Sequence, residues 1–186
     1  MTEAEWRYST DVVAMIGALW ELYADDRQEL ERLLHRYYLA CCRAIWKLIP
    51  DEASRNAVAL ADREVNGLRV TSDELEWASY TSEGAAFGID YCDSDELPRW
   101  LADAEAIPEA ELRAMIHPPE ALSDLSMHEL IKRAAYFAFW AFQYGSCPMK
   151  ELQQYPPLPY YVLFCSPEIL RDIFGNPFAR RKKSGV

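Results

Sequence analysis

From Ala134 to Phe142 every residue is apolar or tyrosine: Ala-Ala-Tyr-Phe-Ala-Phe-Trp-Ala-Phe. Ser126 precedes this run at the position of a helix cap, and Gly145 follows it, which predicts a helix from Met127 to about Tyr144. A helix that is apolar all round has no side to turn to water, so it has to be buried on several sides. The rest of the chain must supply the elements that surround it. That requirement predicts a mainly α fold, an irregular helical bundle around a buried aromatic helix.

The candidate neighbours are legible as amphipathic helices. Thr2-Glu3-Ala4-Glu5 has the Thr-x-x-Glu form of a capping box and starts a short turn that carries Trp6. A helix over about Asp11 to Tyr23, capped by Thr10 or Ser9, places Val12, Ile16, Leu19 and Tyr23 on one face. The clearest element runs from about Asp26 to Leu48. Leu30, Leu34, Tyr37, Cys41, Ile45 and Leu48 recur every three or four residues, and Glu29, Arg32, Arg36, Arg43 and Lys47 form the opposing stripe. A further helix spans about Glu52 to Asn66, capped by Asp51 and stopped by Gly67. Thr71-Ser72-Asp73-Glu74 opens another, expected to reach about Ser82 before Gly84 and Gly88 loosen the chain.

Composition changes over residues 90–129. Eleven acids stand there against Arg99 and Arg113, and Pro98, Pro108, Pro118 and Pro119 divide the stretch. Short helices around Leu97–Ala104 and Glu109–Ile116 are expected, with residues 90–125 an acidic insertion packed against the side of the bundle. Beyond the aromatic helix, Tyr155-Pro156-Pro157-Leu158-Pro159-Tyr160-Tyr161 must be extended or loop. Tyr161 to Phe164 has the composition of a short strand but no visible partner. Ser166-Pro167-Glu168 opens a last helix that ends at Gly175. The single domain is expected to close near residue 178, leaving 179–186, with Arg180-Arg181-Lys182-Lys183, as a disordered basic tail.

Three segments carry a family resemblance. They are Met1-Thr2-Glu3-Ala4-Glu5-Trp6; Ala40-Cys41-Cys42-Arg43-Ala44-Ile45-Trp46-Lys47-Leu48 with Asp51-Glu52, Ser54-Arg55 and the following residues to Gly67; and Leu170-Arg171-Asp172-Ile173-Phe174-Gly175-Asn176-Pro177-Phe178. Together they resemble a set of helical proteins of planctomycete bacteria of the Gemmata type, over roughly the first 80 and the last 20 residues. No activity is established for that set. The resemblance implies bacterial origin and helical character, and it carries over no catalytic residue. The acidic middle and the aromatic helix depart from it.

Chemistry leaves few signatures. His128-Glu129-Leu130-Ile131-Lys132 begins like a His-Glu-x-x-His zinc helix, but Lys132 stands where the second ligand belongs. The remaining possible ligands, Cys41, Cys42, Cys92, Cys147, Cys165, His35, His117 and His128, include no Cys-x-x-Cys pair. Asp90, Asp93, Asp95 and Glu96 lack the glycine and spacing of a calcium loop. No glycine-rich phosphate loop is present, so no cofactor and no metal is expected. Cys147, after the central helix, is the more accessible thiol.

The net charge of −11 disfavours nucleic acid and anionic membranes and favours a basic protein partner. The polar start of the chain has no apolar signal region behind it, and five cysteines make an odd set; both predict a cytoplasmic chain with free thiols. Two functions are compatible with these residues. The first is a non-catalytic interaction or adaptor module, with Asp93, Asp95 and Glu96 of the acidic stretch and Ile173, Phe174 and Phe178 of the terminal segment as partner-binding residues. The alternative is a small enzyme or ligand-binding protein with an aromatic pocket near Tyr136–Tyr144, and His128 or Cys147 at its mouth.

Overall fold

The computed structural model describes residues 1–91, 95–146 and 162–181. Ten α-helices and one 3-10 turn make up the described chain: α1 Glu3–Tyr8, α2 Val12–Leu22, α3 Arg27–Ala44, α4 Glu52–Val65, α5 Ser72–Asp90, α6 Leu97–Glu105, α7 Glu109–Met115, the 3-10 turn Pro119–Asp124, α8 Met127–Ser146, α9 Pro167–Phe174 and α10 Phe178–Arg181. No strand occurs among the described residues. The described chain is therefore all-α, in line with the mainly α fold predicted from the apolar helix.

Helix α8 is the centre. It packs against α3, α4, α5 and α6. No residue from Met127 to Tyr144 is exposed. Leu130, Ile131, Ala134, Ala135, Phe137, Ala138, Ala141 and Phe142 are buried. The interleaved alanines let neighbouring backbones approach on several sides, and each buried phenylalanine contributes about 1.5–3 kcal/mol. Ser126 caps the helix, its Oγ accepting from the Glu129 N–H at 3.1 Å.

The surrounding helices bury the faces their spacing selects. On α2 these are Val12, Ile16 and Leu19, with Tyr23 just past its end. The α3 face continues through the turn beyond Ala44 to Ile45 and Leu48. The cap of α2 is Asp11, accepting from Ala14 N–H, rather than Thr10 or Ser9. The Ser9 hydroxyl instead accepts from the Asp11 N–H. Asp51, Thr71 and Ser166 cap α4, α5 and α9 as their positions predict.

The acidic stretch takes part in the core. Trp100 and Ala104 of α6 form a second cluster with Ala86 and Ile89 of α5 and Ile131 and Ala135 of α8. Ile107, Leu112, Met115 and Ile116 join the main core. Lys47 Nζ pairs with Glu111 at 2.7 Å and ties α7 to the end of α3.

Two sequence expectations fail here. Leu163 and Phe164 are buried in a turn that accepts the His117 N–H at the Leu163 carbonyl, 2.8 Å, and not in a strand. A lone strand would leave its backbone groups unpaired. Helix α5 does not stop near Ser82. It continues to Asp90 through Gly84 and Gly88. Each glycine costs about 1 kcal/mol inside a helix. Continuing the helix buries Ile89 completely, along with Ala86, and a single buried isoleucine returns about 1.5–3 kcal/mol. Packing wins over propensity.

A Cβ placed on Gly84 meets no atom within 4 Å. Gly84→Ala is therefore expected to stabilise the protein by about 0.5–1 kcal/mol. The midpoint of urea unfolding checks it, and a destabilised variant would show that the backbone there needs glycine.

Candidate functional site

The described structure leaves one long apolar surface uncovered, and it lies on α5. The inner side of that helix is fixed. Ala78, Ser82, Ala86 and Ile89 are buried against its neighbours, and Ser82 Oγ donates back to the Ala78 carbonyl at 2.7 Å. Gln143 of α8 donates to Ser79 Oγ. A capping box fixes the start: Thr71 Oγ1 accepts from Glu74 N–H, and Glu74 Oε2 accepts from Thr71 N–H at 2.8 Å.

With the inner side fixed, the helical period dictates what faces out. Trp77 is 68% exposed, Tyr80 72%, Phe87 43% and Tyr91, at the C-cap, 67%. These are large rings left in water, and they pair among themselves. Trp77 and Tyr80 lie 6.2 Å apart by ring centroids; Phe87 stacks with Tyr91 at 6.2 Å and meets the edge of Tyr136 at 6.0 Å. Isolated exposed hydrophobes are ordinary, but here four aromatics stand in a row on one helix face.

The charges carried by α5 itself have one sign. Ser72–Asp90 holds five acids and no lysine or arginine. Glu74 pairs with Arg63 of α4 at 3.7 Å. Asp90 pairs with Lys132 of α8 at 2.6 Å and accepts from the Tyr136 hydroxyl at 3.3 Å. The hydrogen bond from Lys132 holds the Asp90 carboxyl below its ordinary range. Burial, with Asp90 beside it, pushes the Tyr136 phenol up to about 12. Asp73, Glu76 and Glu83 are exposed and make no ion pair with any described residue. Trp77 also walls a surface groove between α4 and α5 of about 500 Å³, lined by Glu52, Asn56, Leu60, Arg63 and Glu74 among others.

The residues singled out from sequence lie elsewhere. Asp93 lies outside the described residues, as do Cys92, Cys147, the Pro156–Pro159 segment and the Lys182-Lys183 end of the basic tail. Asp95 and Glu96 are exposed in the turn ahead of α6, and Glu96 pairs with Arg99 at 3.0 Å. Phe174 is buried with its ring edge-on to Tyr23 at 5.9 Å; Phe178 is half-buried against Trp6 at 6.5 Å, and Ile173 is half-buried on the same core. The apolar side of the terminal segment is thus engaged within the chain. Of the acidic trio, Asp95 and Glu96 stand ahead of α6, whereas Ile173, Phe174 and Phe178 pack on the main core.

The chemistry-bearing side chains are mostly core. Cys41, Cys42 and Cys165 are buried, and burial pushes all three thiols up, Cys41 to about 12. A thiol that cannot ionise is a poor nucleophile and a poor ligand. No group of three or more His, Cys, Asp or Glu among the described residues is placed to hold a metal. His128 is half-buried, its Nε2 3.2 Å from the Ile89 carbonyl. The aromatics of α8 pack on rings of the core: Phe137 on Tyr38 and Phe164, and Tyr144 on Tyr38 and His35. No described helix is long and apolar enough to cross a membrane.

Sequence reasoning missed the α5 surface because it ended the helix at the glycines. The signal was there: Trp77, Tyr80, Phe87 and Tyr91 follow one another at helical spacings of three, seven and four. No family model, curated protein or solved structure matches the chain.

Proposed function

We propose that this chain is a non-catalytic protein-interaction module of the bacterial cytoplasm, akin to the helical planctomycete proteins it resembles, and that it docks a protein partner on the outward face of α5. The observation that carries the reading is the exposed row Trp77, Tyr80, Phe87 and Tyr91 on a helix whose inner side is locked into the core. Tryptophan and tyrosine are the residues most enriched at interface hot spots, because a rigid ring buries a large area at small entropic cost. The acidic surroundings add long-range attraction for a basic partner and repel nucleic acid.

The test compares the wild-type chain with the triple variant Trp77→Ser, Tyr80→Ser, Phe87→Ser in recovery of partners from the host. A recovered partner is then titrated against both proteins by calorimetry. A hot-spot residue is worth about 2 kcal/mol or more, so each lost ring should weaken binding about 30-fold. These side chains are exposed, so thermal stability should change little. Equal affinity for wild type and variant would end the proposal.

A further inference from the structure

Deepening the interaction reading on which it rests, we propose that the occupant of the α5 face is a basic amphipathic α-helix. With Trp77 at the first position of a heptad, Trp77, Gly84 and Tyr91 fall on a positions, and Asp73, Tyr80 and Phe87 on d positions. An a/d seam sustained over this length is the surface that a second helix covers, its side chains entering the spaces between those of the first. A sheet edge or an extended peptide would have no use for that spacing. Gly84 sits mid-seam, and the space where its side chain would stand is open. The seam therefore has a depression between Tyr80 and Phe87 into which a side chain of the partner fits.

The flanks then fix the sign of the partner. Every g position of the seam is acidic: Glu76, Glu83 and Asp90. The e positions are Glu74, Thr81 and Gly88, with no base among them. Asp90 and Glu74 are already paired within the protein, with Lys132 and Arg63. Glu76 and Glu83, with Asp73 on the seam itself, are exposed with no ion-pair partner among the described residues. Residues at e and g select partner identity in paired helices. Carboxylates there call for lysine or arginine opposite. Arginine also stacks on Trp77 and the tyrosines, as Arg27 does on Trp20 and Arg43 on Trp46 inside this molecule, 4.7 and 4.5 Å from the ring centroids. A second copy of this chain is the wrong occupant. Antiparallel pairing sets g against g and brings carboxylates together without a base; parallel pairing sets Glu76 and Glu83 against Thr81 and Gly88 at e, which offer them no base.

The full-length protein is panned against a displayed library of helices with a shared apolar a/d seam, with lysine, arginine, glutamate or glutamine allowed at e and g. Wild type is expected to enrich helices with basic flanks about tenfold over acidic ones at low salt, and the bias should shrink at high salt. The double reversal Glu76→Lys, Glu83→Lys should invert the bias, and Trp77→Ser with Tyr80→Ser should abolish enrichment of either kind. Circular dichroism confirms that both exposed-site variants stay folded. Enrichment without charge bias, but lost in the Trp77/Tyr80 variant, overturns the basic partner and leaves the interaction reading standing. No enrichment at all, with host partners retained by the aromatic-face variant, overturns both. Self-association of wild type that the charge reversal strengthens or leaves unchanged names a second copy as the occupant and also overturns the proposal.

Discussion

Trp6→Ala is expected to destabilise the protein by about 3–5 kcal/mol, a large part of the 5–15 kcal/mol that holds a domain of this size folded. The six residues of α1 are too few to form a helix alone. They are held by what Trp6 touches. Its ring is 3% exposed, it lies edge-on to Phe178 at 6.5 Å, and its Nε1–H donates to the Gly175 carbonyl at 3.1 Å. Gly175 ends α9 with φ of +58°, a conformation in which glycine is unstrained. The clasp is completed by Arg171, whose guanidinium donates to the Ser9 carbonyl at 2.7 Å, and by Asn176, whose amide donates to Glu3 at 2.8 Å. Removing the indole thus unlocks both ends of the chain at once. Trp6→Phe keeps most of the ring and loses the N–H bond, worth about 1 kcal/mol, so it should fall between wild type and the alanine variant. Urea unfolding gives the magnitudes. Hydrogen exchange gives the mechanism: amides of α9 should exchange faster in Trp6→Ala. Unchanged protection of α9 would mean that the terminal segment is not held by this contact.

That clasp was half legible in the sequence. Trp6 behind a capping box and the apolar Leu170-x-x-x-Phe174 before Gly175 are each readable as elements, but nothing in a linear pattern says that they meet. The same limit explains the other successes and failures. The all-apolar stretch of α8 could be placed at the centre because burial on every side leaves a run without polar interruption. The face of α3 from Leu30 to Cys41 could be read because Glu29, Arg32, Arg36 and Arg43 mark the opposite side. Caps such as Asp51, Thr71 and Ser166 act within three residues, so they are written locally. Helix α5 could not be bounded locally. The term that carries it through two glycines is the burial of Ala86 and Ile89 against α6 and α8, residues far along the chain. Without the helix running past Gly84 and Gly88, Phe87 and Tyr91 have no shared face with Trp77 and Tyr80. The acids had the opposite problem. Asp95 and Glu96 stand out by density, yet it is register against rings that gives Glu76 and Glu83 a direction, and register requires the helix.

Acid should unfold this protein earlier than its carboxylates alone require, because His35 is buried uncharged. Its side chain points into the contact of α3 with α8. The residue is 5% exposed, its ring lies 6.0 Å from that of Tyr144, and Nε2 has no hydrogen-bond partner among the described residues. The other ring nitrogen meets the Ala141 carbonyl. Burial in these surroundings lowers the imidazole from 6.5 to about 4, against the smaller upward pull of that carbonyl and of Asp62. Well above pH 6.5 the folded and unfolded chains both hold the ring neutral, and it contributes no pH dependence. Between 6.5 and about 4 the unfolded chain takes up a proton that the folded chain refuses, so stability falls as pH falls. Below about 4 both are protonated and the slope vanishes. At 1.36 kcal/mol per unit the loss across this window is about 3 kcal/mol. His117, lowered by its own partial burial, adds in the same direction. Asp51 opposes it: burial raises that carboxyl above 3.8, so the folded chain is the better proton acceptor there and regains stability toward the acid end. Urea unfolding at intervals from pH 7 to 4 should show the decline in wild type. His35→Phe fills the site with a ring that cannot titrate and should flatten most of that slope, while His117→Asn should remove only the smaller part. An unaltered acid slope in His35→Phe would place the titrating group elsewhere and would mean that water reaches the imidazole between α3 and α8.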